Sequence, residues 1–160
     1  MAVDVFLKID GIEGESASDK HKGEIDVLSW SWGVAQTGNM HTGGGGGAGR
    51  ANVQDLSFTK TLDKSSPKLF KSSCEGAHIA KMVLSANKAG GKQMEYLKIT
   101  LSDCLISSVS TGGSGGQESF TESVTVNFSK VEMVYSQQDA KGAEAGKVAF
   151  NYDIKANKAS

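Results

Sequence analysis

Glycines, histidines and cysteines are the residues from which chemistry would have to come. Gly44, Gly46 and Gly49 have the spacing of a dinucleotide-binding fingerprint. That motif works between a strand and a helix whose N-terminus holds the pyrophosphate. Here a run of glycines meets the spacing by repetition, and the element that follows reads as another strand. A Walker loop fails as well, because Arg50-Ala51 stands where a lysine and a hydroxyl are needed. His21, His41 and His78 lie in or beside glycine-rich or charged connections without metal-ligand spacing, so they read as surface histidines. Cys74 near His78 suggests a thiol nucleophile, but a helix is expected to end between them and no orienting partner follows. Both Cys74 and Cys104 read as packed, reduced thiols. The acidic series Asp4, Asp10, Glu13, Glu15, Asp19, Glu24 and Asp26 lacks the register of a calcium loop and reads as a solvated face. Asn127-Phe128-Ser129 is a glycosylation sequon in form only, because it falls inside a strand. No catalytic residue, metal or cofactor is expected.

Composition narrows the classes further. A chain of 160 residues with 38% hydrophobic and 22% charged residues is one globular domain, expected over 1–160. Its net charge of -1 lacks the basic excess that phosphate neutralisation needs, which argues against nucleic acid. The start shows no basic region followed by an apolar run, and no later stretch is long enough to span a bilayer, so no membrane insertion is expected.

The elements that would position any site are mostly strands. Val3, Val5, Leu7 and Ile9 alternate with Asp4, Phe6, Lys8 and Asp10 as a first strand. A strand over 53–62 puts Leu56, Phe58 and Leu62 on one face with Gln54 and Lys60. Ser65-Ser66-Pro67 supplies a capping hydroxyl and a proline suited to a first helical turn. It opens one helix of about ten residues, with Leu69, Phe70 and Cys74 on one side. Strand character returns over 79–87, and 88–92 reads as a hairpin by its glycines. The next strand, from Tyr96 to Ile106, carries apolar groups on both faces. Over 120–135 the alternation changes phase, and a bulge near Ser129 and Lys130 would reconcile the two halves. Val148, Phe150, Tyr152 and Ile154 form the apolar face of a half-buried last strand. The architecture expected is mainly β: an antiparallel β-barrel built from two sheets, with one short flanking α-helix and a long glycine-rich extended loop.

The stretch over 27–50 organises the rest. Its first half, read as one strand, puts Leu28, Trp30, Trp32 and Val34 on a bulky apolar face, and Val27, Ser29, Ser31 and Gly33 on a smooth hydroxylated one. Trp30 and Trp32 read as a core or subunit contact more readily than as a ligand platform. Five consecutive glycines then end regular structure and make an arm.

These residues carry a resemblance. Gly14-Glu15-Ser16, Glu24 through Gly33, the arm from His41 to Gly49, and Asn52 through Lys60 are similar to the haemolysin-coregulated proteins (Hcp) of bacterial type VI secretion. So are Lys88-Ala89-Gly90-Gly91, Glu95-Tyr96-Leu97, the stretch 107–116 and Thr121-Glu122. The resemblance covers residues 3 to about 155. It implies a β-barrel tube subunit that assembles as homohexameric rings stacked into a hollow tube. A contractile sheath surrounds such a tube, a spike protein tips it, and small effector proteins are held and stabilised in its lumen. It also implies a cytoplasmic protein that is secreted, without a signal peptide, into the medium or a target cell. Because the sequence stops at Ser160, no C-terminal toxin extension is expected.

Residue roles follow as expectations. Ser29 and Ser31 are expected to face the lumen and its cargo. Met40, His41, Gly43, Gly44, Gly45, Gly46, Gly47 and Arg50 are expected to reach an adjacent subunit or ring. The alternative is a monomeric β-sandwich ligand-binding module; a hydrolase has no convergent nucleophile, base and orienting group in its favour.

Overall fold

The computed structural model describes residues 2–160 apart from Asn39, 42–46, Ala48, 90–93 and Gly142. Eleven strands and one α-helix are described. They run β1 (Val3–Ile9), β2 (Ile25–Val27), β3 (Ser29–Ser31), β4 (Val34–Ala35), β5 (Asn52–Val53), β6 (Leu56–Thr61), α1 (Ser66–Glu75), β7 (Ile79–Lys88), β8 (Met94–Gly112), β9 (Thr121–Gln138), β10 (Glu144–Asp153) and β11 (Lys158–Ala159). Every strand pairing described is antiparallel. The main sheet has the order β11-β10-β9-β8-β7-β1-β2, and β6 joins it by pairing with β9 on one side and β3 on the other.

The tryptophan strand is not one strand. Val27 is buried and Trp30 packs against the core, yet Leu28 between them is 60% exposed. Strict alternation would bury Leu28 with Trp30 and turn Val27 out. The chain instead bends at Leu28, passing from β2, paired with β1, to β3, paired with β6. This one-residue break keeps the barrel from closing as a continuous ladder. Val34 is exposed too, because β4 leaves the main sheet to pair with β5. The expected 53–62 strand splits into β5 and β6 for the same reason.

A second inversion lies across β7, β8 and β9. In β9, Val124, Val126 and Phe128 are buried on one parity and Val131 on the other. The expected bulge at Ser129 and Lys130 is absent: the register runs from Ser102↔Lys130 to Cys104↔Phe128 with no inserted residue. The irregularities lie elsewhere, between Ile106 and Ser108 and between Ala86 and Asn87. Instead, the neighbouring strands invert at the same level. Burial steps from Ile79 to Met82 in β7 and from Leu101 to Cys104 in β8, where Asp103 has φ 53°. Three strands bending along one line turn the sheet across the core, as a corner does in a packed β structure.

Helix α1 starts and stops where the sequence signals it. Pro67 sits in its first turn, and Gly76 ends it at φ 57°, with its N–H bonding Ser72 and Ser73 carbonyls. The capping hydroxyl does something else: Ser65 Oγ donates to Asp63 Oδ1 rather than closing the helix end. Only Leu69 of the expected apolar side is fully buried, while Phe70 and Cys74 are exposed. Cys74 is therefore not a packed thiol, whereas Cys104 is buried. The last strand is also less covered than its pattern suggests, with Val148 71% and Phe150 37% exposed.

Candidate assembly and cargo surfaces

Ser29 and Ser31 are both exposed, on the outward pleat of β3. They do not stand alone. Ser29 lies opposite Thr59 and Ser31 opposite Ser57 on β6. Ser57 and Thr59 in turn face Thr125 and Ser123 on β9. Thr125 and Ser123 face Ser108 and Ser110 on β8. Because side chains directly across an antiparallel pair share a face, four strands present one hydroxyl-tiled surface. Its hydroxyls bond each other, Ser29 Oγ to Thr59 Oγ1 at 2.5 Å and Ser108 Oγ to Thr125 Oγ1 at 2.6 Å.

This face carries no charge across those rows. The charges in β6 and in the first half of β9 are Lys60 and Glu122, and both point inward at 0% and 1% exposure. Lys60 Nζ is 2.7 Å from Glu122 Oε2 and 3.0 Å from Asp63 Oδ1. Ser66 Oγ, at the start of α1, accepts from Lys60 Nζ at 2.9 Å and donates to Glu122 Oε2 at 2.9 Å. Sequence reading put Lys60 on the apolar face without seeing its partner. The further hydroxyls were missed, although Ser57, Thr59, Ser123 and Thr125 alternate with apolar residues as visibly as Ser29 and Ser31 do.

A different surface is apolar. Tyr135 pairs with Val148, and Met133 with Phe150, so all four continue the inner face of β8, β9 and β10. That face runs past the core: Tyr135 is 46% exposed beside Val148. Among the described residues, the outer edge of β10 finds backbone partners only from Asn151 onward, at Ser160 and β11.

The arm is a two-stranded ribbon at its base. Val34↔Val53 and Ala35↔Asn52 pair, Trp32 Nε1 donates to Gln54 O at 2.8 Å, and Gln54 N donates to Gly33 O at 3.0 Å. A Cβ on Gly49 would lie 2.7 Å from Thr37 Oγ1, so any side chain there would have to displace the Thr37 hydroxyl. The Arg50 guanidinium donates to Ile154 O, which ties the ribbon to the C-terminal turn of its own chain. Beyond that point Met40 is 78% exposed and His41 and Gly47 are exposed. Gly43, Gly44, Gly45 and Gly46 lie outside the described residues.

Two histidines form clusters that sequence spacing did not show. His21 is buried rather than on the surface, stacked on Phe6 with ring centroids 4.5 Å apart. Its Nδ1 meets Glu24 Oε2 at 3.0 Å and its Nε2 meets Asn87 Nδ2 at 2.7 Å. Exposed His78 donates to Asp103 Oδ1 and Ser129 Oγ donates to Asp103 Oδ2, each at 3.1 Å. The carboxylate stands between imidazole and hydroxyl, so no imidazole faces Ser129 and the trio lacks the order of a nucleophilic triad. The hydrogen bonds from His78 and then Ser129 hold Asp103 below the usual carboxylate range. Burial pushes the Cys104 thiol up to about 12, which keeps it protonated and inert.

The chain is similar to known proteins along nearly its whole length. Residues 6–135 match a family model described as type VI secretion system effector, Hcp. Protein hcp1 of Pseudomonas aeruginosa is 54% identical over 159 residues, covering 98% of each chain. The crystal structure of Hcp1 from Salmonella typhimurium superposes with a TM-score of 0.82 at 43% identity over the full length of both chains. A structure titled as a type six secretion system protein gives 0.94 at 28% identity, over 99% of this chain and 100% of the other.

Proposed function

Because the chain belongs to the Hcp family of type VI secretion, we propose that copies of it close into hexameric rings and stack into a hollow tube. The carrying observation is the inner apolar face of β8 to β10 that runs beyond the core, with Tyr135, Val148 and Phe150 uncovered along a half-paired edge strand. A ring of identical subunits needs a head-to-tail contact between two different patches. An exposed apolar strip beside an open strand edge supplies one of them.

Stacking needs a separate axial contact. The ribbon of β4 and β5 supplies it, since it pairs apart from the main sheet and Met40 and His41 beyond it are exposed. The hydroxyl-tiled face with Ser29 and Ser31 lines the bore, where a wall of hydroxyls, bordered by the Asp55 carboxylate that accepts from Ser107 and Asn127, lets small effector proteins be held without being trapped. A spike at the tip and a contractile sheath around the tube complete the machine, which carries the subunit out of the bacterial cytoplasm.

Size-exclusion chromatography with light scattering tests the ring directly. A mass several times that of the chain is expected, and a monomer at all concentrations would leave the binding-module reading in its place. Deleting residues 40–48, which spares Gly49 and Arg50, should leave a folded ring that stacks poorly. Long filaments of the deleted form in electron micrographs would remove the arm from the axial contact. Ser31→Tyr should lower retention of co-expressed effectors with no change in ring mass, and unchanged retention across several effectors would show that Ser31 does not face the bore.

A further inference from the structure

The hydrophobic alternation of β6 and β9 would be satisfied by an apolar pair where Lys60 and Glu122 stand. Such a pair would also avoid the desolvation of two ions. The ion pair is incompletely satisfied as well, because the buried Glu122 Oε1 has no hydrogen-bond partner. Stability alone does not account for it.

Register does. Alternation has a period of two, so it fixes which side chains face inward but not which residue stands opposite which. Sliding β6 by two residues along β9 keeps Leu56 and Phe58 inward and Ser57 and Thr59 outward. The hydrophobic pattern does not oppose it. The slide would set Lys60 opposite Phe120 or Val124 and leave Glu122 buried opposite Phe58 or Leu62, without a counter-ion. The observed register, Lys60↔Glu122, is the one in which the two charges meet. Ser66 then ties that pair to the start of α1, a reference point outside both strands.

We infer that Lys60 and Glu122 are positioning residues that key β6 to β9. They set which hydroxyls of β6 stand opposite which hydroxyls of β9, and they keep both charges off that face. The biological consequence rests on the reading of the face as a cargo wall; the register itself does not.

Cross-strand disulfide trapping tests it in a Cys74→Ser background. Ser57→Cys is paired either with Thr125→Cys, its observed partner, or with Ser123→Cys, its partner after a two-residue slide. Mild oxidation with oxidised glutathione should favour the aligned pair strongly in the parent. With K60M/E122M that preference should fall by about fivefold or more while unfolding stays cooperative. An unchanged preference overturns the inference. If the double variant does not fold, Glu122→Gln decides: a reduced preference supports the key, and parental preference overturns it. Light scattering on the unoxidised parent reads the tube separately, so absence of a ring would sink the proposed assembly and leave the register result standing.

Discussion

The two halves of β9 carry the same alternation and meet opposite fates. Before the bend at Ser129, Val124 and Val126 are fully buried, and the far side shows only hydroxyls and Asn127. After it, the apolar side thins from buried Val131 to Tyr135 at 46% exposure, and the far side carries Lys130 and Glu132. The difference lies in the neighbour. β6 closes the first half within the barrel wall, whereas β10 leaves the second half at a margin whose outer edge, among the described residues, is paired only from Asn151 onward. Equal patterning thus yields a core in one half and an exposed apolar margin in the other, depending on what stands across.

The largest expected effect breaks the first half. Lys60→Met leaves Glu122 buried without a counter-ion and should cost about 3–5 kcal/mol. At the usual entropy of a domain this size, the melting midpoint should drop by roughly 10 °C. A shift under about 2 °C by calorimetry would show that Glu122 finds another partner. Val148→Asp should separate the halves the other way. Its side chain is already mostly exposed, so stability should stay within about 0.5 kcal/mol, but the charge on the apolar overhang should abolish the ring in light scattering. A full-size ring would place the lateral contact elsewhere.

The smallest effect sits at the hinge between the halves. Asp103 titrates below its ordinary value of 3.8 because His78 and Ser129 hydrogen-bond its ionised form. A depressed carboxylate adds stability above its unfolded value, and that increment is lost as pH falls through the lower folded value. Asp103→Asn tolerates the left-handed backbone but removes the charge. Its melting midpoint should therefore lie slightly below the parent's at pH 5 and converge with it as pH drops below 3.8. A gap that persists unchanged into acid would mean that the contact is indifferent to ionisation.

Much of this architecture was legible in the residues. Val3 to Ile9 alternate and form β1; Ser66-Pro67 and Gly76 bracket α1; the hydroxylated side of Ser29 and Ser31 is exposed. The misreadings share a cause. Alternation alone groups Leu28 with the tryptophans and implies a bulge near Ser129, and spacing alone leaves His21 at the surface. Each required knowing which element packs alongside.

Local sequence determined the strand and helix content and the two-sided character of β3, β6 and β9, because pleat period, proline and glycine act within a few residues. Tertiary structure alone decided that Lys60 meets Glu122, that Val148 is left exposed, and that three strands bend together at Asp103. Burial of a charge or exposure of an apolar face depends on a partner far along the chain, and alternation is silent about which partner arrives.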